Sequence, residues 1–482
     1  MTGFKKLLFV AVAATLPAMA CAQLPETLRA AVEQAVLANP EVQARFHAFR
    51  AAENERDAAR SGYLPTLDVD VAVGRELRRP SGANASRSYD RFGGGVTLSQ
   101  MLYDGFFTRS EVARFGHARM VRYFELLDDA EQVAFEALRA YIDVLRFQEL
   151  VDYAKDNYVE HKLVHEQILE RTRSGVGRGV DLELATGRLA LAESNLLTEV
   201  SNLHDVTARF VRIVGTRPPA DLEPLASGVF ADELPESIQE ALEIAYALNP
   251  SLKAAMANIR SNEDLVHSRR SAHHPRLDLR ARQQFDRNLD GVRGTQREGV
   301  IELVLNYNLY RGGGDQARLR QAAEELNFAR DQREIVCRNL RQTLTIAYND
   351  GHMLEEQLRY LQQHALSLSR AREAYRQQFE IGQRSLLDLL DGENEYFDAR
   401  RAYANAAHNQ MIARANGLAG MGRLLEVVGV MREDIPKASE LAGEEDYVEA
   451  ESVCAAYFPD MLVVDKGALL NEALESRGLR GR

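Results

Sequence analysis

The chain has 482 residues, with 71 Asp and Glu against 59 Lys and Arg, a formal charge of −12. That balance excludes a basic nucleic-acid-binding surface as its main feature and favours solubility and cation attraction. Length alone suggests about three domains, but a strong internal repeat overrides that division.

Residues 1–22 read as a secretory signal. Lys5 and Lys6 form the charged start and Leu7 to Ala20 the apolar stretch. Ala18-Met19-Ala20 or Ala20-Cys21-Ala22 supplies the small-residue cleavage site. A spanning helix needs about 20 apolar residues, more than this stretch offers; a lipidated Cys21 is the alternative. No later stretch approaches a transmembrane helix, so the mature chain is expected to be soluble or a β-type membrane protein. Cys337 and Cys454 remain after processing. They lie in very different segments, so although an exported chain permits pairing, no disulfide framework is implied.

The rest is built twice, as residues 23–214 and 236–428 joined by a proline-rich connection at 215–235. A-V-E-Q-A-V-L-A-N-P at 31–40 returns as A-L-E-I-A-Y-A-L-N-P at 241–250, and each Asn-Pro is a helix N-cap followed by proline in the first turn. Leu64-Pro65-Thr66-Leu67-Asp68 is answered by His274-Pro275-Arg276-Leu277-Asp278, and Leu102-Tyr103-Asp104-Gly105 by Leu309-Tyr310-Arg311-Gly312.

After each proline the apolar period becomes two. Leu67, Val69, Val71 and Val73 alternate with Asp68, Asp70 and Ala72, and Ile301, Leu303 and Leu305 behave likewise. Strands are expected at 66–75, 93–103, 276–286 and 299–310. They suit either a small soluble sheet or a membrane barrel wall with aromatics such as Tyr103, Phe106, Phe107 and Tyr310 at its rim. Four strands cannot close a barrel, so several chains would have to share one.

Proline-free stretches from Phe106 to Ser174 and Asp315 to Ile381 predict helices about 100 Å long at about 1.5 Å per residue. Ala130, Ala134, Ala137, Tyr141 and Val144 step by four and three, a coiled-coil-like stripe. Leu182 to Val214, and Leu28 to Ser61 broken at Asn39-Pro40, are half-length partners. Each long hairpin turns at a glycine, Gly175 or Gly382, six residues before an aspartate, Asp181 or Asp388. Residues 429–482 read as an acidic, solvated or disordered tail carrying Glu444, Glu445, Asp446, Glu449 and Glu451, with a short helix at Gly467 to Glu475.

Candidate chemistry is sparse. His161 and His165 have a metal-ligating spacing but no third ligand, and are read as surface histidines. Gly312-Gly313-Gly314 lacks a phosphate-loop lysine and is read as a strand-to-helix joint. His273-His274 is loop chemistry. Asp388 and Asp391 admit three readings: an acid–base pair, simple caps at a helix start, or, if several chains surround one axis, acidic rings that select cations. No catalytic site, metal or cofactor is expected.

Through the duplicated N-P and L-P-x-L-D motifs, the strand-end L-Y-D-G and L-Y-R-G-G-G, and the two glycine-to-aspartate tips, residues 24 to 428 resemble the TolC-type outer-membrane channel family. The resemblance implies a mainly α fold with a transmembrane β-barrel. Three chains would share a 12-stranded barrel, continued by a periplasmic tunnel of helical hairpins. It further implies outer-membrane lipid around the barrel and, as partners, a periplasmic adaptor and an inner-membrane ABC or other transporter. Asp388 and Asp391 match the acidic pair at the entrance constriction, Arg384 the basic residue tying neighbouring hairpins, and Asp181 a carboxylate in that network. Phe379 falls where some members carry a tyrosine bonded to that aspartate; lacking a hydroxyl, it leaves the gate to Arg384 with Asp181 or Glu183. Leu102-Tyr103-Asp104-Gly105 and Ile213 to Leu222 look closest to members serving type I export of large adhesins. The expected function is therefore an outer-membrane exit duct, with small-molecule or metal efflux and a soluble periplasmic adaptor as rivals.

Overall fold

The computed structural model describes residues 24–78, 87–289, 293–430, 432, 434–441, 454 and 464–477. The expected signal sequence with Cys21, and the acidic cluster from Glu444 to Glu451, lie outside the described residues. In the first unit α1 (Glu26–Ala38) and α2 (Pro40–Arg60) lead into β1 (Thr66–Arg78) and β2 (Arg87–Tyr103), followed by α3 (Phe107–Arg173) and α4 (Gly179–Val214). The second unit repeats the order with α5 (Ile238–Leu248), α6 (Pro250–Arg270), β3 (Arg276–Arg287), β4 (Thr295–Asn306), α7 (Gly314–Glu380) and α8 (Leu386–Met421). Three short helices follow: α9 (Leu424–Val428), α10 (Ala438–Leu441) and α11 (Lys466–Ser476).

The four strands form one antiparallel sheet in the order β1-β2-β3-β4. Leu67 lies opposite Leu98, Leu98 opposite Ala281, and Ala281 opposite Ile301, so one apolar row crosses the whole sheet. One residue along, Asp68 faces Thr97, Thr97 faces Arg282, and Ser99, Arg280 and Glu302 line up beside them. The alternation thus sorts into an apolar face and a polar face, as a barrel wall between lipid and lumen requires. On the apolar face Val73 is 78% and Ile301 80% exposed in the single chain. The outer edges of β1 and β4 are unpaired in one chain, and an open edge is not tolerated in lipid.

β4 differs from its expected span of 299–310. Every residue of β3 pairs with one between Thr295 and Asn306, so Tyr307 to Tyr310 have no opposite partner and leave the sheet. Tyr307 and Tyr310 are exposed just beyond the strand end, where amphipathic rings suit a membrane boundary.

α3 and α7 have 67 residues each, about 100 Å of helix. α3 is central: α2 packs on its sheet-proximal half, α4 on its distal half, and α6 and α8 on its other side. The Asn-Pro motifs explain how half-length helices stack. Asn39 Oδ1 accepts the Glu41 N–H at 2.8 Å to start α2, while its Nδ2 donates to the Ile213 carbonyl at the end of α4, 3.4 Å away. Asn249 repeats this, capping α6 at Leu252 (3.0 Å) and donating to the Gly420 carbonyl of α8 (3.0 Å). One side chain therefore starts one helix and holds the end of the next.

The main apolar core lies midway along the rods, where α1 and α9 pack on α3, and α5 on α7 and α8. Ala130, Ala134, Ala137, Tyr141 and Val144 are all buried there, and the small residues let the backbones approach closely. Tyr141 donates its hydroxyl to the Glu223 carbonyl (2.9 Å) and sits 2.7 Å from Thr27 Oγ1.

Glu131, also buried there, accepts the Leu425 N–H at 3.3 to 3.4 Å as α9 begins. Burial pushes its carboxyl up to about 8. The fold therefore prefers the protonated form. The stability this residue contributes is present below the ordinary carboxylate pKa of about 4.3 and is lost as pH rises toward 8. Glu131→Gln should match wild type in melting temperature near pH 5 and become progressively the more stable protein up to pH 9. A constant difference across that range would contradict the assignment.

Cys337 and Cys454 form a disulfide with Cα atoms 5.6 Å apart, correcting the expectation of no disulfide framework. Their sequence separation of 117 concealed the approach. After α8 the chain returns to the core, where Arg119 donates to the Leu441 carbonyl at 2.6 Å and Cys454 reaches the wholly buried Cys337. The C-terminal segment is thus not a free tail at this point, and the pairing suits an exported protein.

Candidate functional site: the hairpin tips

Both hairpins turn by the same device. Gly175 and Gly382 adopt φ of +78° and +77°, a left-handed conformation that strains any residue with a Cβ. The Gly175 N–H bonds the Thr172 carbonyl and that of Gly382 the Phe379 carbonyl, so each turn uses a carbonyl that the ending helix leaves open.

Asp388 closes a capping box at the start of α8. Its carboxylate accepts from the Ser385 hydroxyl (2.8 Å) and backbone N–H (3.3 Å), while Ser385 Oγ accepts the Asp388 N–H (3.2 Å). Those bonds, with Arg384 3.7 Å away, hold its carboxyl below the usual carboxylate range, so it stays charged at neutral pH. Asp391, one turn on, forms an ion pair with Arg188 of α4. Sequence reasoning missed Arg188. Its signal was the seven-residue spacing from Asp181, which puts both on one face of α4.

The expected pairing of Arg384 with Asp181 or Glu183 is not made within one chain. Arg384 Nε donates to Gln378 Oε1 at 3.0 Å, and its guanidinium stands 4.7 Å from the Tyr375 ring centroid. Asp181 instead pairs with Arg178 at 3.3 Å, and Glu183 is exposed. The reason is local: Gln378, Tyr375 and Asp388 lie on the hairpin that carries Arg384, within reach without crossing to α4.

Phe379 does structural work in place of a hydroxyl. Only 8% exposed, it packs with Val164 and Ile168 of α3, Ala185 of α4, and Leu386, Leu389 and Leu390 of α8. Arg171 stacks over its ring at 5.2 Å. This small core joins the two tips by burial rather than by a hydrogen bond.

Above the tip, charges bridge the hairpins. Arg376 donates to Glu160 of α3 at 2.7 Å and to Glu393 of α8 at 2.8 Å, Arg372 reaches Glu393 at 3.2 Å, and Arg400 reaches Asp156 at 3.0 Å. Glu393 is 3% exposed, so loss of its arginine partners would leave a buried charge unpaired. His161 corrects the surface-histidine expectation. It is buried in this region with its Nδ1 2.9 Å from the Asn157 carbonyl, and burial lowers its pKa so that it stays neutral. His165 faces Thr186 of α4 at 3.2 Å. Among the described residues no helix is long and apolar enough to cross a membrane.

A duplicated pair of rods about 100 Å long, rooted in a two-faced four-stranded sheet and tipped with charge, defines the class: one protomer of an outer-membrane channel-tunnel. The sequence matches the outer membrane efflux protein family over residues 31–216 and 241–420, and the chain belongs to that family of TolC-type channels. Outer membrane efflux protein BepC of Brucella suis is 25% identical over 411 residues, covering 84% of this chain and 87% of that protein. Proteases secretion protein PrtF of Dickeya chrysanthemi is 24% identical over 395 residues, covering 76% and 83%. In fold, the chain superposes on the Campylobacter jejuni CmeC outer membrane channel with a TM-score of 0.75 at 16% identity, covering 83% of this chain and 86% of that one. The family is non-enzymatic and resides in the outer membrane with a large periplasmic tunnel. Its channels are trimeric and work with periplasmic adaptors and inner-membrane transporters.

Proposed function

We propose that this chain is the exit duct of a type I secretion machine, passing a large exported protein, an adhesin, from an inner-membrane ABC transporter to the exterior. The likeness to a proteases secretion protein supports export of protein over efflux of small molecules. The motifs Leu102-Tyr103-Asp104-Gly105 and Ile213 to Leu222 support the adhesin branch.

In this reading the tips are the gate. Three copies bring Asp388 and Asp391 together as acidic rings around one axis, and Arg384 reaches the Asp181 and Glu183 side of the adjacent hairpin. The observation that carries the gate is the partial exposure of Asp388 and Arg384, each with a side chain 40% exposed in the single chain and so open to a neighbour. Loss of the gene should strip the cognate large adhesin from the cell surface while drug tolerance stays at the parental level. Surface display intact with drug tolerance lost would favour the efflux duct instead.

A further inference from the structure

The helix α11 has no place in the duplicated architecture. Among its residues only Leu474 is even half-buried, and Leu469 and Leu470 are 56% and 60% exposed. The helix is nevertheless anchored through its first residue. Lys466 Nζ donates to Glu356 Oε1 at 2.6 Å and to the Tyr360 hydroxyl at 3.0 Å, and stands 4.2 Å from the Tyr360 ring centroid. A covalent tether, the Cys337–Cys454 disulfide, fixes the preceding segment to the same helix, α7.

That anchor point is at a free edge. In the distal half of the rods the lateral order is α4, α3, α8, α7, because α4 packs on α3, α3 on α8, and α8 on α7. α4 and α7 are therefore the edge helices, and closing a tunnel from several copies sets α7 of one against α4 of the next. Both edges carry exposed apolar side chains, Tyr360 and Met353 on α7 and Leu197 and Val200 on α4. Tyr360 and Val200 each lie about 30 Å from their own hairpin tip, by the helical rise. Leu469 and Leu470 follow Lys466 by three and four residues, about 5–6 Å along α11, so their side chains come within reach of a helix packed beside α7 with its axis about 8–10 Å away.

We propose that α11 is an intersubunit clasp: anchored to α7 through Lys466, it crosses the seam and lays Leu469 and Leu470 on α4 of a second copy of this chain. The clasp rests on the trimeric reading. It buries apolar side chains that one chain leaves in water, at an interface the tunnel already requires.

The test uses the full-length protein purified in detergent with no other protein present. Leu470 is replaced by the photo-crosslinker p-benzoylphenylalanine. The expected result is covalent dimers and trimers on illumination, with the crosslinked peptide containing Leu197 or Val200, and a several-fold lower yield in the K466E background. A trimer by light scattering whose crosslinks stay within one chain would overturn the clasp and leave the channel reading intact. A monomer under these conditions would overturn the trimeric reading, and the clasp with it.

Discussion

Replacing Arg384 with serine raises the resting conductance of the reconstituted channel. In one chain Arg384 is tied only to its own hairpin, through Gln378, Tyr375 and Asp388, and its side chain is 40% exposed. Donors that these contacts leave over are open to a neighbouring tip, and on the proposed gate reading that is where they are used. An exposed pair is worth about 0.2–1 kcal/mol, and the change removes it in each of three copies. The closed state then loses about 1–2 kcal/mol, roughly a tenfold shift toward open at about 1.4 kcal/mol per decade. Because Gly382 sets the turn independently, the fold survives the substitution. The same experiment with Arg384→Lys should give an intermediate conductance, since lysine keeps the charge but not the planar fork. Wild-type conductance in the serine variant would refute the assignment.

Asp388→Asn with Asp391→Asn abolishes block by multivalent cations. Three copies carry six such carboxylates, and acidic rings of this kind hold cations at a constriction. The concentration of multivalent cation needed for block should rise by at least about tenfold, beyond the range in which wild type is blocked. The two positions are not equivalent. Asp391 is partly neutralised by its ion pair with Arg188, whereas Asp388 has its nearest guanidinium 3.7 Å away. Asp388→Asn alone should therefore weaken block more than Asp391→Asn alone. The Ser385 bonds hold Asp388 below the usual carboxylate range, so wild-type block should persist to a lower pH than an ordinary carboxylate would allow. Block unchanged in the double variant would remove these residues from the constriction.

Much of this architecture was legible because it is periodic or local. Leu67, Val69 and Val71 announce a strand by alternation, and the register with Leu98 and Val96 then follows from the shared apolar face. Asn39-Pro40 and Asn249-Pro250 mark their helix starts by cap chemistry alone. Gly175 and Gly382 mark the tips because only glycine accepts that backbone without strain.

What escaped was long-range. Cys337 and Cys454 meet because the chain folds back to its core, which no local pattern records. Asp391 reads as a helix-start carboxylate until α4 brings Arg188 beside it from 203 positions away. His161 looks like a surface residue on a charged helix, but it is buried, with Arg188 of α4 and Glu393 of α8 in its surroundings. The end of β4 was misplaced because Tyr307 continues the alternation after the pairing partner has run out.

Purified mature protein added to a planar lipid bilayer, with its mass measured in the same detergent, tests the central claim most directly. A duct built from three copies predicts a trimer by mass that inserts in discrete conductance steps. A water-soluble monomer that leaves the bilayer at baseline would contradict it.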